Sequence, residues 1–441
     1  MKNGVLVLFV AAACSRSPAG AVVHFVENDY ARALADARGR GVPLFIDAWA
    51  SWCHTCLSMR AYVFTDPVLR PYERDFAWLA IDTERQENAA LVEKLGIHVL
   101  PTLVVLDAAS EQPLVAWPGS MTARELAGLL EASIQRSMTK SATADADGAL
   151  KRGHRASADG RNEEAISDYR AALATAPPGW PHRAEALDAW VTVLGNASHE
   201  AECAKQAVEA APGMAPGTPL ADVLRAGIHC AVDSLPDAAA LSALDRLLAQ
   251  GEQVAGDATQ PILPDDRSDL FGYVVSGLSK LARKDELARV ARAWAAFLEE
   301  QATHAPSPSS RAVFDAHRLE AYLALGRPEQ AVPMLEESER DFPQDYNPPA
   351  RLGVALLAMG RYDEAIAALD RALHLAYGPR KLRLWSVEAD AFRAKGDRDG
   401  ERRALQAAVD FSNTVPLTGG YPKSRDALQR RLIDLADRGA R

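Results

Sequence analysis

Apolar positions fall into two regimes along this chain. Over residues 21–137, short apolar runs such as Pro43 to Trp49 and Leu103 to Leu106 read as buried strands, separated by longer mixed segments with helical spacing. The expected order is strand, helix, strand, helix, strand, helix, hairpin, helix, the last helix covering Thr122 to Arg136 after Trp117-Pro118-Gly119. One residue breaks the first run: Asp47 is an acid inside an otherwise apolar strand. From residue 149 to 441 helical periodicity takes over. Residues 138–148, mostly small and polar through Thr139 to Gly148, read as a linker between the two regimes.

The helical part carries a repeat. Gly326 lies 34 residues before Gly360, and Tyr322, Ala331, Leu335 and Pro343 share that register. Gly353, Gly360, Tyr362, Ala365, Leu369 and Ala372 follow the spacing of tetratricopeptide repeats, as do Gly153, Gly160, Ala165, Tyr169, Ala172 and Pro177. Helix pairs of this kind cannot bury an apolar face alone, so an all-α solenoid is expected. Its middle is degenerate: helices are expected over Pro181 to Ala211, Leu220 to Leu235 and Asp269 to Ala302, with Pro212 to Pro219 and Gly251 to Asp266 as connectors. A capping helix is expected near Ser424 to Ala436, with Leu428, Leu432 and Leu435 on one face. The groove positions of the clearest repeat, Asn347, Ala350, Val354, Leu357 and Ala358, are mostly apolar. They suit an extended or helical apolar segment of a client, or a neighbour in an assembly.

The chemistry is concentrated in Phe45-Ile-Asp-Ala-Trp-Ala-Ser-Trp-Cys-His-Thr-Cys56. Two cysteines three apart at a helix start share a face, and the helix N-terminus favours a thiolate on Cys53, the expected nucleophile. A cationic His54 would stabilise that thiolate further and make the pair more oxidising; the alternative is a solvated helix residue. Half a zinc site is the other reading of the pair, but tetrahedral zinc needs four ligands and no second such pair is nearby. No metal, and no cofactor beyond a redox-active disulfide, is expected.

Residues of about 21 to 137 resemble a thioredoxin domain, most closely the carboxy-terminal domain of the bacterial thiol:disulfide interchange protein DsbD. The likeness rests on Asp47 to Cys56, on Val63-Phe-Thr-Asp-Pro67 and on Val99-Leu-Pro-Thr102. It implies that Cys53 attacks, Cys56 resolves and Asp47 serves as base. It also implies a cis Pro101 that shapes a substrate groove together with Trp52, His54, Thr55 and Leu100. The centre His54-Thr55 departs from both thioredoxin and DsbD, which leaves the direction of exchange open. Trp49, Trp52, Trp78 and Trp117 are expected to pack the core or rim the site, and His98 to be structural.

Length and charge narrow the remainder. The chain of 441 residues can bury more than one core, and a net charge of −10 provides no basic patch for nucleic acid. Lys2 and the apolar stretch Gly4 to Ala13 read as an export signal too short to span a bilayer. Ala11-Ala-Ala-Cys14 resembles a lipobox, with Cys14 lipidated; cleavage at an Ala-x-Ala site is the alternative, giving a soluble secreted protein. Of five cysteines, Cys203 and Cys230 remain for a structural bridge, or for two buried free thiols. These readings make the chain an exported, extracytoplasmic thiol:disulfide oxidoreductase that reduces client-protein disulfides, recharged by a soluble or membrane-bound redox protein, while the solenoid docks a client or partner. The alternative is a tetratricopeptide scaffold whose thioredoxin-like unit is mainly a binding module.

Overall fold

The structure, a computed structural model, describes residues 22–138, 145–417 and 421–437. Cys14, the export segment and most of the linker lie outside the described residues. A five-stranded sheet organises the N-terminal domain: β1 (Val26–Glu27), β2 (Leu44–Trp49), β3 (Ala77–Asp82), β4 (Thr102–Asp107) and β5 (Gln112–Pro118), in the order β1-β3-β2-β4-β5. β1, β3 and β2 are parallel, whereas β4 runs antiparallel to β2 and β5 to β4. The central strands read as continuous apolar runs because both their faces are covered. On one face Ile46, Leu79 and Val104 pack against Ala33 and Leu34 of helix α1 (Tyr30–Arg40) and Leu91 of α3 (Ala89–Lys94). On the other, Phe45 and Trp78 meet Met59, Phe64 and Leu130 of α4 (Ala123–Met138). The two-residue alternation of a strand puts Asp47 on the face of Phe45, the side that carries the redox helix α2 (His54–Ser58).

The remaining helices stack from Ala146–Ala158 to Tyr421–Asp437. Asp145 caps the first of them by accepting a hydrogen bond from the Gly148 N–H, so the end of the expected linker is already helical. The middle is more regular than its sequence suggests. Residues 181–211 hold two helices, Arg183–Asn196 and Glu200–Ala210, and Pro264–Lys280 and Lys284–Thr303 divide the long segment that follows. The expected connector over Gly251 to Asp266 is corrected at both ends: Ala238–Gly256 is helix, and Asp265 and Asp266 open the next helix. Gly251 marks a close approach of helices, since a Cβ there would sit 3.0 Å from Val274 Cγ2.

Cys203 and Cys230 form a disulfide that joins the helix Glu200–Ala210 to Thr218–Asp233, and both cysteines are buried. At the far end Leu428 is buried and Leu432 and Leu435 pack beside it against Trp385 and Phe392, as a capping helix requires. Among the described residues no helix is long and apolar enough to cross a membrane.

Candidate functional site

β2 delivers the chain into a turn at Ala50 to Cys53, where the Cys53 N–H donates to the Ala50 carbonyl at 3.1 Å. Cys53 then caps α2: its Sγ accepts the Cys56 N–H at 3.1 Å, and the two sulfurs form a disulfide. Cys53 is 5% exposed and Cys56 fully buried. Leu100 packs on the pair with Trp49, Ala50 and Trp52, and the Leu100–Pro101 peptide is cis. The Pro101 carbonyl accepts the Gly119 N–H at 2.8 Å, fixing this loop to the end of β5.

α2 runs on through a π-helical turn, Met59–Val63, which swings Arg60 under the sheet. Its guanidinium lies 4.3 Å from the Trp49 ring centroid, bonds Glu27 at 2.5 Å and approaches Asp47 Oδ2 to 3.7 Å. Both Asp47 oxygens are buried without a hydrogen-bond partner. Burial pushes its pKa up to about 7, against the pull of Arg60 and with a small push from Glu27. Asp47 can therefore take up and give back a proton near neutrality.

The expected substrate groove is covered by the solenoid. On the Trp52 side, Asn347 Nδ2 donates to the Ser51 carbonyl at 3.1 Å and the Ser51 hydroxyl meets Tyr346 Oη at 3.3 Å. Arg380 stacks 4.4 Å from the Trp52 ring, and Trp52 Nε1 donates to Glu84 at 3.1 Å. Glu84 also accepts from the Tyr421 hydroxyl at 2.7 Å and the Arg380 N–H at 2.9 Å. Gly378, at φ +63°, lies so close that a Cβ would stand 2.3 Å from the Glu84 carbonyl oxygen. Asn347 and Ala350, read as facing a client, face the chain's own redox domain; Val354 and Leu357 pack within the repeat core. The physical reason is shape: an apolar groove beside Trp52 in the same chain has a partner at high effective concentration.

On the other side the contacts are ionic. His54 Nδ1 is 3.0 Å from Asp265 Oδ2, and its Nε2 is 3.8 Å from Asp269. Burial would lower the His54 pKa, but the carboxylates of Asp265 and Asp269 outweigh it and raise it to about 9. The His317 ring lies tilted against that of His54 with centroids 4.1 Å apart, and Arg225 holds Asp269 and Asp222. Ser120 donates to Asp266 at 2.7 Å, and burial, with Asp222 and Asp265 nearby, pushes the Asp266 pKa well up. Thr55 is buried, its hydroxyl 3.2 Å from His54 Nδ1. His54 is thus neither simply solvated nor facing an open groove, because helix Pro264–Lys280 brings acids to it. Sequence reading missed Asp265, Asp269 and His317; the available signal was the Asp265 and Asp269 pair at helical i, i+4 spacing, split between an apparent connector ending at Asp266 and the helix expected from Asp269.

A cavity of about 590 Å³ remains between the domains. Val99, Thr102 and Gly119 line it from the cis-proline side, and Asp188, Asp222 and Arg225 from the solenoid. His98, expected to be structural, is exposed and lines it too.

A family model described as thioredoxin-like matches residues 26–108, and one for the tetratricopeptide repeat matches residues 322–384. The thiol:disulfide interchange protein DsbD of Yersinia enterocolitica is 34% identical over 94 residues, 21% of this chain and 16% of that protein. DsbD of Escherichia coli is 30% identical over 95 residues, with the same coverage. The chain thus spans about a sixth of the length of these curated relatives. A tetratricopeptide repeat protein from Parabacteroides merdae overlays 66% of this chain and 98% of its own at a TM-score of 0.43 and 10% identity, too loose a likeness to bear on function. The N-terminal domain is thioredoxin-like and related to DsbD, and tetratricopeptide repeats follow it.

Proposed function

We propose that this protein is an extracytoplasmic thiol:disulfide oxidoreductase that reduces client-protein disulfides. The supporting observation is the Cys53–Cys56 pair at the start of α2 with buried Asp47 on the same side of the sheet, in a domain related to DsbD. In the reaction the Cys53 thiolate attacks one sulfur of the client disulfide, whose other sulfur leaves as a thiolate and takes a proton. Asp47 then accepts the Cys56 proton, Cys56 attacks Cys53, and the second client thiol departs. Two electrons pass to the client and the Cys53–Cys56 disulfide forms, so a dithiol protein must recharge the site. Asp265 and Asp269 flank His54 and oppose the extra stabilisation its charge would give a Cys53 thiolate, which favours the reductase direction.

The cover over Cys53 shapes the rest of the proposal: the solenoid, through its contacts at Ser51 and His54, restricts access to the cysteines. Insulin reduction should be lost in Cys53→Ser, while Cys56→Ser should accumulate mixed disulfides; equal activity in both would overturn the assignment. Equilibration with glutathione should give a potential below about −200 mV, and a value near about −120 mV would reverse the direction. Mass analysis of the mature N-terminus tests lipidation of Cys14.

The 5% exposure of Cys53 also supports a second reading, in which the thioredoxin-like unit mainly holds the repeats together as a scaffold. After reduction, Cys53 that resists alkylation in the folded chain would favour it.

A further inference from the structure

We propose that His54, Asp265 and His317 form a zinc-type divalent transition-metal site that straddles the domain interface beside the cysteine pair. One ligand atom from each lies within 4.8 Å of the others. Asp265 is fully buried and His317 is 2% exposed, yet Asp265 Oδ1 and His317 Nδ1 have no hydrogen-bond partner. Buried polar atoms are seldom left so, and two of them side by side point to a shared partner. These two atoms stand 3.7 Å apart, too far for a hydrogen bond. With metal–ligand bonds of about 2.0–2.1 Å, tetrahedral ligand atoms lie about 3.3–3.4 Å apart, so a small contraction suffices. His54 Nδ1, 3.0 Å from Asp265 Oδ2, completes the set.

The surroundings fit a metal better than a plain ion pair. Asp269 stands behind both rings, 3.3 Å from His317 Nε2 and 3.8 Å from His54 Nε2, and Arg225 holds its other oxygen at 3.4 Å. A carboxylate on the far nitrogen is the usual device that orients a ligating imidazole. Two imidazoles and one carboxylate select zinc, nickel or copper over magnesium or calcium. The set uses no sulfur, so ion and disulfide can coexist. An ion here would tie the residue next to Cys53 to the helices Pro264–Lys280 and Asp315–Ala324, making the closed arrangement of the domains metal-dependent.

The test uses the full chain with Cys53 and Cys56 oxidised, which removes their thiolates as ligands. Titration with zinc chloride should show one saturable site, and cobalt(II) should give visible bands without sulfur charge transfer. His54→Gln, at a partly exposed position, should weaken zinc binding at least about 100-fold and Asp269→Asn about 10-fold, with circular dichroism melts confirming that both fold. Absence of saturable binding to the oxidised wild type, or undiminished binding by His54→Gln, would overturn the proposal. So would binding that appears only after reduction and carries thiolate-to-cobalt bands, since the ion would then sit on the cysteines.

Discussion

The two stretches of solenoid that flank the redox turn hold it in opposite ways. The regular repeats around Ala331 to Lys395 hold the turn mainly by close fit, with Tyr346 packed on Trp52, Arg380 over its ring, Asn347 bonded to Ser51 and the Gly378 backbone against Glu84. The degenerate stretch from Arg183 to Thr303, with His317 beyond it, grips His54 by charge, through Asp265, Asp269 and Arg225, and carries the Cys203–Cys230 bridge. Acids, Arg225 and a disulfide stand in this stretch beside the usual buried alanines and leucines, and a buried ion cluster must be complete to be tolerated.

The largest expected effect strikes the charged stretch. Cys203→Ala with Cys230→Ala opens a loop of sequence separation 27, and urea melts should show a loss of about 3–4 kcal/mol on the chain-entropy picture. An unchanged midpoint would mean that helix packing alone holds this stretch. Next, Arg225→Met leaves Asp222 without its cation and Asp269 with only His54 and His317. Because Arg225 is itself about one-third exposed, the loss should be nearer about 2–3 kcal/mol than the larger cost of breaking a fully buried pair.

Asp47 belongs to neither grip, since its neighbours Arg60 and Glu27 lie within the N-terminal domain. Asp47→Asn should slow the resolving step about 100-fold above pH 7 while leaving initial attack nearly unchanged. In the wild type that step should speed up as pH rises through about 7, where Asp47 loses its proton, and stopped-flow thiol release at several pH values checks it. The linked stability effect has a definite sign. With the folded pKa near 7 and the unfolded one near about 3.9, the folded chain holds the extra proton between them, so Asp47 makes stability fall as pH rises from about 4 to about 7 and adds no slope above. That slope should vanish in Asp47→Asn; a profile identical to wild type would show that Asp47 is ionised throughout.

The smallest effect belongs to the shape-based grip. Gly378→Ala combines a positive φ with a Cβ against the Glu84 carbonyl oxygen, which should cost about 1–2 kcal/mol. The loss should appear as faster alkylation of reduced Cys53 rather than as global unfolding. An unaltered alkylation rate would show that the charged side alone keeps the turn closed.

Much of this was legible in the sequence, for local reasons. Cys53, Cys56 and Asp47 lie within ten positions of one another in the chain, Pro101 sits in its own short motif, and the 34-residue interval from Gly326 to Gly360 announces the repeats. The first turn of the helix Pro264–Lys280 was not legible, although helix was expected from Asp269 onward, because Pro264, Asp265 and Asp266 make a helix start look like a turn. Proline at a first helical position and acids in the first turn are what a helix N-terminus prefers, so the same letters serve both readings.

By itself the sequence determined the identity of each domain, the redox pair and its buried acid, because strand alternation, helix spacing and a motif over a few residues act over short distances. Only the tertiary structure decided what faces the pair. His54 meets Asp265 and His317, and Ser51 meets Asn347, across more than 200 positions of chain. Such pairings depend on how successive helices rotate and stack, a sum of many small packing choices that no local pattern encodes. The face of the repeats around Tyr346, Asn347 and Ala350 that would suit a foreign client is therefore occupied by the chain's own redox domain.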